Sequence, residues 1–212
     1  VQTLHYSIQQ RTTINQFITQ QIEAGRQVYV VYPLINENDK LDLQDLTNGY
    51  NQLCEAFPSY RISMVHGQMK AKDKDAQMQR FVNGETQILV ATTVIEVGVN
   101  VPNASVMIIE NAERFGLSQL HQLRGRVGRG AEQSYCILLT HIEMSKDTRK
   151  RMDIMVATND GFRIAEADLQ LRGPGDLEGT QQSGLPFELR IASLSSDGQL
   201  LDMARQAALE IS

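Results

Sequence analysis

Several motifs and residue patterns that would assign this sequence to another class of protein are missing. The two cysteines, Cys54 and Cys136, lie far apart in apolar segments. They predict buried thiols in a reducing compartment, not a disulfide framework. The four histidines are isolated and show no Cys/His spacing, so we expect no metal site. No apolar run approaches the ~20 residues of a membrane span, and the start lacks the basic and then apolar order of a secretory signal. We therefore expect a cytoplasmic protein.

The motifs of a complete nucleotide site are also missing. The sequence contains no G-x-x-x-x-G-K-[ST] phosphate loop and no D-E-x-x box for magnesium and an attacking water. There is no G-x-G-x-x-G after the first long apolar strand, which argues against a dinucleotide-binding protein. The sequence starts at Val1 without a methionine, so we expect a piece of a longer protein with a partner domain elsewhere.

Length and composition suit an ordinary soluble α/β protein. The 212 residues are 42% hydrophobic and 21% charged, and the length suffices for one large α/β domain with an appendage or for two small domains. The formal net charge is −5, so any contact with nucleic acid must come from a local basic patch.

Apolar periodicity predicts strands that alternate with helices over the first 140 or so residues. Strands are expected at 4–8, 28–32, 61–65, 87–91, 105–110 and 134–139. Amphipathic helices are expected at 14–22, 43–57 and 73–82, and after the strand that ends at residue 110. This order predicts a doubly wound parallel sheet with helices on both faces. From residue 143 we expect a helical hairpin that turns at 159–161, then a glycine-rich loop and a last helix at 197–211. The predicted domains are therefore 1–142 and 143–212.

Polar and small residues follow several predicted strands at the edge where ligands bind in an open parallel sheet. The four pairs are Tyr32-Pro33, His66-Gly67, Thr92-Thr93 and Glu110-Asn111. Each pair alone is weak, since a Thr pair is often a helix cap. Their common place at one edge favours phosphate binding.

The stretch 120–130, L-H-Q-L-R-G-R-V-G-R-G, carries Arg124, Arg126 and Arg129 separated by Gly125 and Gly128. We expect it to be helical. A glycine inside a helix costs about 1 kcal/mol relative to alanine, so two suggest a close approach to the backbone. A solvated basic surface helix is the alternative.

Three segments resemble motifs of superfamily 2 helicases. L-V-A-T-T-V-I-E-V-G-V-N-V-P (89–102) resembles motif V, Q-L-H-Q-L-R-G-R-V-G-R (119–129) resembles motif VI, and M-V-H-G-Q-M (64–69) resembles the motif before them. Two further segments are similar to sequences of the RecG family of branch-migrating DNA helicases. They are E-N-A-E-R-F-G-L-S-Q, before motif VI, and D-L-Q-L-R-G-P-G-D-L-E-G-T-Q-Q-S-G (168–184). The second segment resembles a translocation motif that this family shares with the transcription–repair coupling factor. The resemblance covers the chain from about residue 25 onward.

The resemblance implies the second RecA-like lobe of an ATP-dependent motor, with ATP and Mg²⁺ bound between two lobes and the magnesium held by the absent first lobe. The implied roles fall into four groups. Arg126 and Arg129 would be arginine fingers. Gln122, Gly98 and Asn100 would contact the nucleotide. Tyr32, Pro33, His66, Gly67, Thr92 and Thr93 would contact DNA. Arg151, Arg172 and Gln182 would couple ATP use to translocation on branched duplex DNA, such as stalled forks and Holliday junctions. The implied partners are this DNA and the N-terminal lobe and wedge domain of the same protein, and we expect a monomer.

Some alternatives remain open. The family usually has Asp where this chain has Asn100, so the role of that position is in doubt. His66 is equally well interpreted as a turn histidine bonded to backbone. Arg151 could belong to a solvated basic run with Arg149 and Lys150. The whole chain could instead be the matching lobe of a coupling factor, or a RecA-like module that binds nucleic acid or protein without hydrolysis.

Overall fold

A computed structural model describes residues 1–34, 39–92, 101–128, 130 and 133–172, without the side chains of residues 39–41 and 172. Within these ranges strands and helices alternate, as the periodicity predicts. The strands are β1 (Gln2–Ser7), β2 (Gln27–Tyr32), β3 (Ile62–Val65), β4 (Ile88–Thr92), β5 (Ala104–Ile109) and β6 (Tyr135–Thr140). The helices are α1 (Arg11–Glu23), α2 (Asp39–Ala56), α3 (Ala71–Val82), α4 (Leu117–Arg124), α5 (Lys146–Ala157) and α6 (Gly161–Arg172).

The strands form a single parallel sheet in the described part of the chain. Its order is β1-β6-β5-β2-β4-β3, and each neighbouring pair runs parallel. The sequence places β1 first, yet it pairs with β6 at one edge, which requires long crossovers between parallel neighbours. The predicted doubly wound parallel sheet is confirmed.

Helices cover both faces of this sheet, and this explains the continuous apolar run of β2. Val28 and Val30 point into the cluster that contains Ile14 and Ile18 of α1. Tyr29, on the opposite face, packs against Phe81 of α3 with ring centroids 5.1 Å apart. All six residues of β2 are buried, because a strand in the middle of such a sheet has no solvent face.

Several predicted helix ends differ from the structure, and two of them are informative. Helix α3 begins at Ala71, two residues before the predicted start, and Lys70 at its N-cap makes no side-chain cap. The sequence therefore holds no capping signal for this boundary. Helix α4 ends at Arg124, so the expected helix over the arginine stretch was wrong beyond that residue. Gly125 follows α4 as its C-cap, and Gly128 lies in the turn beyond it.

The chain divides into two compact units, Val1–Asn159 and Asp160–Ser212. Helix α5 packs against β1 and α4 within the first unit. In the second unit the structure describes α6, which matches the second predicted hairpin helix. The predicted loop and the predicted helix at 197–211 lie outside the described residues. The boundary at residue 142 stays a prediction. Among the described helices, none combines the length and the apolar character that crossing a membrane requires.

Gly49 of α2 lies so close to Tyr32 of β2 that no larger residue fits at this position. A Cβ atom built on Gly49 would lie 2.0 Å from the hydroxyl oxygen of Tyr32 and 2.3 Å from its Cζ atom. Tyr32 is only 9% exposed, so its ring has little room to move away.

We expect Gly49→Ala to lower the melting temperature of the chain. Overpacking costs about 1 to 3 kcal/mol, which exceeds the gain of about 1 kcal/mol from alanine's helix propensity. Asn48→Ala is the matched control, because Asn48 is exposed on the same helix. Thermal unfolding followed by circular dichroism measures both variants. An equal rise in melting temperature for the two would contradict the contact.

Candidate functional site at the carboxyl edge of the sheet

Strand register brings the predicted strand exits together at one edge of the sheet. Tyr32 and Thr92 are paired at the ends of β2 and β4. Val65 of β3 pairs with Ala91, so His66 follows beside Thr92. The backbone N–H of Glu110 donates to the Val31 carbonyl at 2.9 Å. The described residues at this edge therefore stand in the order His66, Thr92, Tyr32 and Glu110.

These residues differ in how far a ligand could reach them. Gly67 is exposed and His66 is half-buried, whereas Tyr32, Pro33 and Thr92 are buried. Two buried polar atoms at the edge, Nδ1 of His66 and Oγ1 of Thr92, have no hydrogen-bond partner within the described part of the chain. Such atoms usually find a partner in native proteins, so this edge has unused capacity for hydrogen bonding.

Electrostatics at the edge favour neutral His66 and Tyr32 side chains. Burial lowers the pKa of His66, and the charge of Lys74 lowers it further. The Lys74 ammonium donates to the Gly67 carbonyl at 2.9 Å, so a positive charge lies beside the His66-Gly67 turn. Burial raises the pKa of Tyr32 well above its usual value, helped by the charge of Glu110.

A salt bridge between Arg11 and Glu110 lies at the middle of this edge. The sequence analysis did not predict it. Two bonds join the guanidinium to the carboxylate, Nη1–Oε1 at 2.5 Å and Nη2–Oε2 at 2.7 Å. The Glu110 side chain is only 5% exposed and that of Arg11 is 32% exposed. Burial alone would lower the pKa of Arg11, but the bond and charge of Glu110 raise it. A carboxylate directly after a buried strand was the available signal, yet nothing in the sequence points to Arg11 as its partner.

Arg124 and Arg126 look equivalent in the sequence of the arginine stretch, but they differ in their exposure to solvent. Gln122 on α4 and Arg126 after its end are both exposed, whereas Arg124 is 3% exposed. Nη1 of Arg124 donates to the carbonyls of Met155 and Thr158, at 2.8 Å each. The interpretation of the stretch as a solvated basic helix is therefore wrong for Arg124. Arg129 lies outside the described residues.

Arg151 holds the segment just ahead of α4. Its guanidinium donates to the backbone carbonyls of Glu113 and Phe115 and to Oγ1 of Thr148. Arg151 is half-buried, so its interpretation as part of a solvated basic run does not hold. Whether it also pairs with the second predicted hairpin arm stays a prediction, because the side chain of Arg172 and all of Gln182 lie outside the described residues.

Gly125 and Gly128, which separate the three arginines, differ in backbone conformation and in the space available for a side chain. Gly128 has φ of 86°, a left-handed conformation that disfavours side chains, and a Cβ there would meet Cγ2 of Val1 at 2.5 Å. Gly125 has φ of −68°, and its nearest neighbours would be backbone oxygens at 3.4 and 3.5 Å. Of Gly125 and Gly128, only Gly128 therefore shows the expected close approach to the backbone, and Val1 makes it.

Three predicted site residues between 93 and 100, namely Thr93, Gly98 and Asn100, lie outside the described residues. Among the residues that the structure describes, no group of three or more His, Cys, Asp and Glu side chains is arranged to hold a metal ion.

Comparisons with known proteins match the chain over nearly its whole length. The model of the helicase conserved C-terminal domain matches residues 9–131, and that of ATP-dependent DNA helicase RecG, domain 3, C-terminal, matches residues 158–212. The chain is 50% identical to ATP-dependent DNA helicase RecG of Synechocystis over 211 residues, which are 98% of this chain and 25% of that protein. It is 50% identical to the RecG of Bacillus subtilis over 196 residues, 92% of this chain and 28% of that protein.

A solved structure of RecG bound to a three-way DNA junction is similar in fold, with a TM-score of 0.70 and 40% identity. The match covers 84% of this chain and 23% of that one. It confirms the RecA-like fold that the resemblance implied. The chain spans about a quarter of the length of these relatives.

The Arg11–Glu110 salt bridge generates a prediction about stability. We expect Arg11→Met and Glu110→Gln each to destabilise the chain, because each leaves one charge at this buried edge without its partner. In a double-mutant cycle by urea unfolding, the coupling energy should be about 1 to 2 kcal/mol, below that of a fully buried pair because Arg11 is partly exposed. Additive effects of the two substitutions would contradict the salt bridge.

Proposed function

Because this chain belongs to the helicase conserved C-terminal domain family and is of the RecG type, we propose that it is the second motor lobe of an ATP-dependent helicase that remodels branched DNA. The lobe would supply arginine fingers to an ATP site that it shares with a first lobe in the same protein. The proposed domains are the lobe at 1–142 and a translocation segment at 143–212.

The observation that carries this proposal is the placement of Arg126. It follows a helix whose end is anchored by the buried Arg124, and its own side chain is exposed. A guanidinium on a fixed backbone can meet the γ-phosphate of a nucleotide bound to the facing lobe, since arginine stays charged and bonds phosphate in a bidentate manner. Exposed Gln122 on the same helix would contact the nucleotide. Arg129, Gly98 and Asn100 keep the roles that the family resemblance implies.

DNA is proposed to lie along the carboxyl edge of the sheet. Gly67 and His66 form its exposed part, and Lys74 keeps a positive charge beside them. A ring N–H of His66 would donate a hydrogen bond to a DNA phosphate. Buried Tyr32, Pro33 and Thr92 would shape the edge, with Thr92 offering its unpaired hydroxyl, and Thr93 would extend it. Such contacts hold the backbone of DNA without reading its sequence.

Translocation is proposed to depend on Arg151, Arg172 and Gln182. Arg151 bonds to the backbone just ahead of α4, so it links α5 to the segment that carries Arg126. Closure of the two lobes around ATP would then move the segment after residue 160 against duplex DNA, a switch driven by phosphate contacts.

The remaining parts of the proposal concern the protein's partners. Magnesium would be held by the first lobe, and a wedge domain of the same protein would recognise the branch. A similar RecG structure is bound to a three-way DNA junction, which supports branched DNA as the substrate. We propose a monomer that works in the cytoplasm, where bacterial chromosomal DNA is found.

We expect Arg126→Ala in the full-length protein to reduce fork-stimulated ATP hydrolysis by about 10³- to 10⁵-fold, the range for an arginine finger. Fork affinity should stay unchanged, because the phosphate of ATP and not DNA is the partner of Arg126. Arg61→Ala is the matched control, since Arg61 is exposed just before β3, at the opposite edge of the sheet. Steady-state hydrolysis and fork binding measure both variants. Loss of fork affinity with normal turnover would overturn the assignment.

We expect Gln182→Ala in the full-length protein to abolish fork unwinding while leaving most ATP hydrolysis intact. The physical reason is that Gln182 would act in the segment that moves on DNA, outside the nucleotide site. Parallel assays of hydrolysis and of strand displacement on a model fork measure the two activities. Equal loss of both would refute a coupling role.

A further inference from the structure

The proposed chemistry gives Arg124 no role, although its guanidinium makes four hydrogen bonds. Nη1 lies 2.8 Å from the Met155 carbonyl oxygen, 2.8 Å from that of Thr158 and 3.2 Å from Oγ1 of Thr3. A single Nη atom carries two hydrogens. The two carbonyls are therefore its main acceptors, and the threonine contact is the weakest of the three.

These carbonyls belong to the end of another helix. Met155 lies in the last turn of α5, where carbonyls lack partners within the helix. Helix α5 has no basic residue of its own in that turn. Arg124 supplies both the missing donors and the positive charge that stabilises a helix C-terminus.

The other end of the guanidinium is bound within α4. Nη2 of Arg124 lies 3.1 Å from Nδ1 of His121. Because arginine can only donate, Nδ1 of His121 is the acceptor of this bond, which forms with the tautomer that carries its proton on Nε2. The guanidinium is thus held from both sides, by the last turn of α4 and by the last turn of α5.

We infer that Arg124 is a positioning residue that fixes the direction in which Arg126 leaves α4. The N–H of Arg126 donates to the Leu123 carbonyl at 3.0 Å, so the backbone from Arg124 to Arg126 continues the turn of the anchored helix end. Any tilt of that end relative to α5 would displace the Arg126 guanidinium. This inference rests on the proposed function, because it gives Arg124 a role only if Arg126 meets the nucleotide.

Arg124→Lys tests the inference in the full-length protein. Lysine keeps the charge but carries all its donors on one nitrogen. The acceptors of Arg124 lie around two different nitrogens of a planar guanidinium, so one ammonium cannot replace the bond to His121 together with those to the carbonyls of α5. A displacement of about 1 Å at a catalytic group can cost about 100-fold in rate. We expect kcat for fork-stimulated ATP hydrolysis to fall about 10- to 100-fold, while KM for ATP and fork affinity change less than about twofold.

Three further variants are measured beside Arg124→Lys, two as controls and one as a second test of the inference. Thr3→Val removes the longest contact of Arg124 and should leave kcat within about twofold of the unaltered protein. Arg61→Lys is the matched conservative change at an exposed arginine and should do the same. His121→Phe keeps a ring but removes the acceptor of Nη2, so it should lower kcat by an intermediate factor of about three to ten. His121→Phe decides the question if Arg124→Lys does not fold.

Nuclear magnetic resonance of arginine side chains in the 212-residue chain gives a readout that is independent of turnover. In Arg124→Lys or His121→Phe, the Nε–Hε signal of Arg126 should shift and lose order, while Thr3→Val leaves it unchanged. An unaltered Arg126 signal, an unaltered kcat, or equal losses in kcat, fork affinity and folded fraction would overturn the positioning role. Failure of the proposed function has a different signature, namely full turnover by Arg126→Ala.

Discussion

The interaction on which the site depends most is the burial of the Arg124 guanidinium between two helix ends. Burial lowers the pKa of Arg124, and the nearby Cys136 only partly offsets this. Removing a charged group from water is costly unless hydrogen bonds replace the lost hydration. Carbonyls at the end of α5, His121 and Thr3 provide these bonds. The cost of leaving the bonds to the α5 carbonyls unmade holds α4 against α5 in one arrangement.

Arg11 and Arg151 hold the segment between β5 and α4 in place, also through hydrogen bonds of their guanidinium groups. Arg11 binds the carboxylate of Glu110 at the start of the segment, and Arg151 binds the carbonyls of Glu113 and Phe115 in its middle. Asn111, between these points, has φ of 49°, a left-handed backbone conformation that asparagine adopts more readily than most residues. The segment that leads to Arg126 is thus held by one buried and two partly buried cations, whereas Arg126 itself is exposed.

Motif resemblance and structure contribute different parts of the functional argument. The comparisons establish the family, and the parallel sheet places the predicted strand exits along one edge. Exposure then divides the candidates. His66 and Gly67 can meet a ligand directly, whereas Tyr32 packs beneath the surface against Gly49. A family motif marks a position as important without saying whether its side chain contacts the ligand or supports the backbone that does.

The amino-acid sequence alone predicts the order of strands and helices along the chain, the parallel sheet and the family. These follow from local periodicity and from contiguous motifs, both of which are local features of the chain. It predicts helix ends less well, because Lys70 gives no capping signal and the glycines after Arg124 were assigned to a helix. Which arginine is buried and which is exposed depends on the tertiary structure. Arg124 and Arg126 are two residues apart and chemically identical, and they differ because the end of α5 lies beside one of them. That contact joins residues 31 and 34 positions apart in the chain, and no local pattern encodes it.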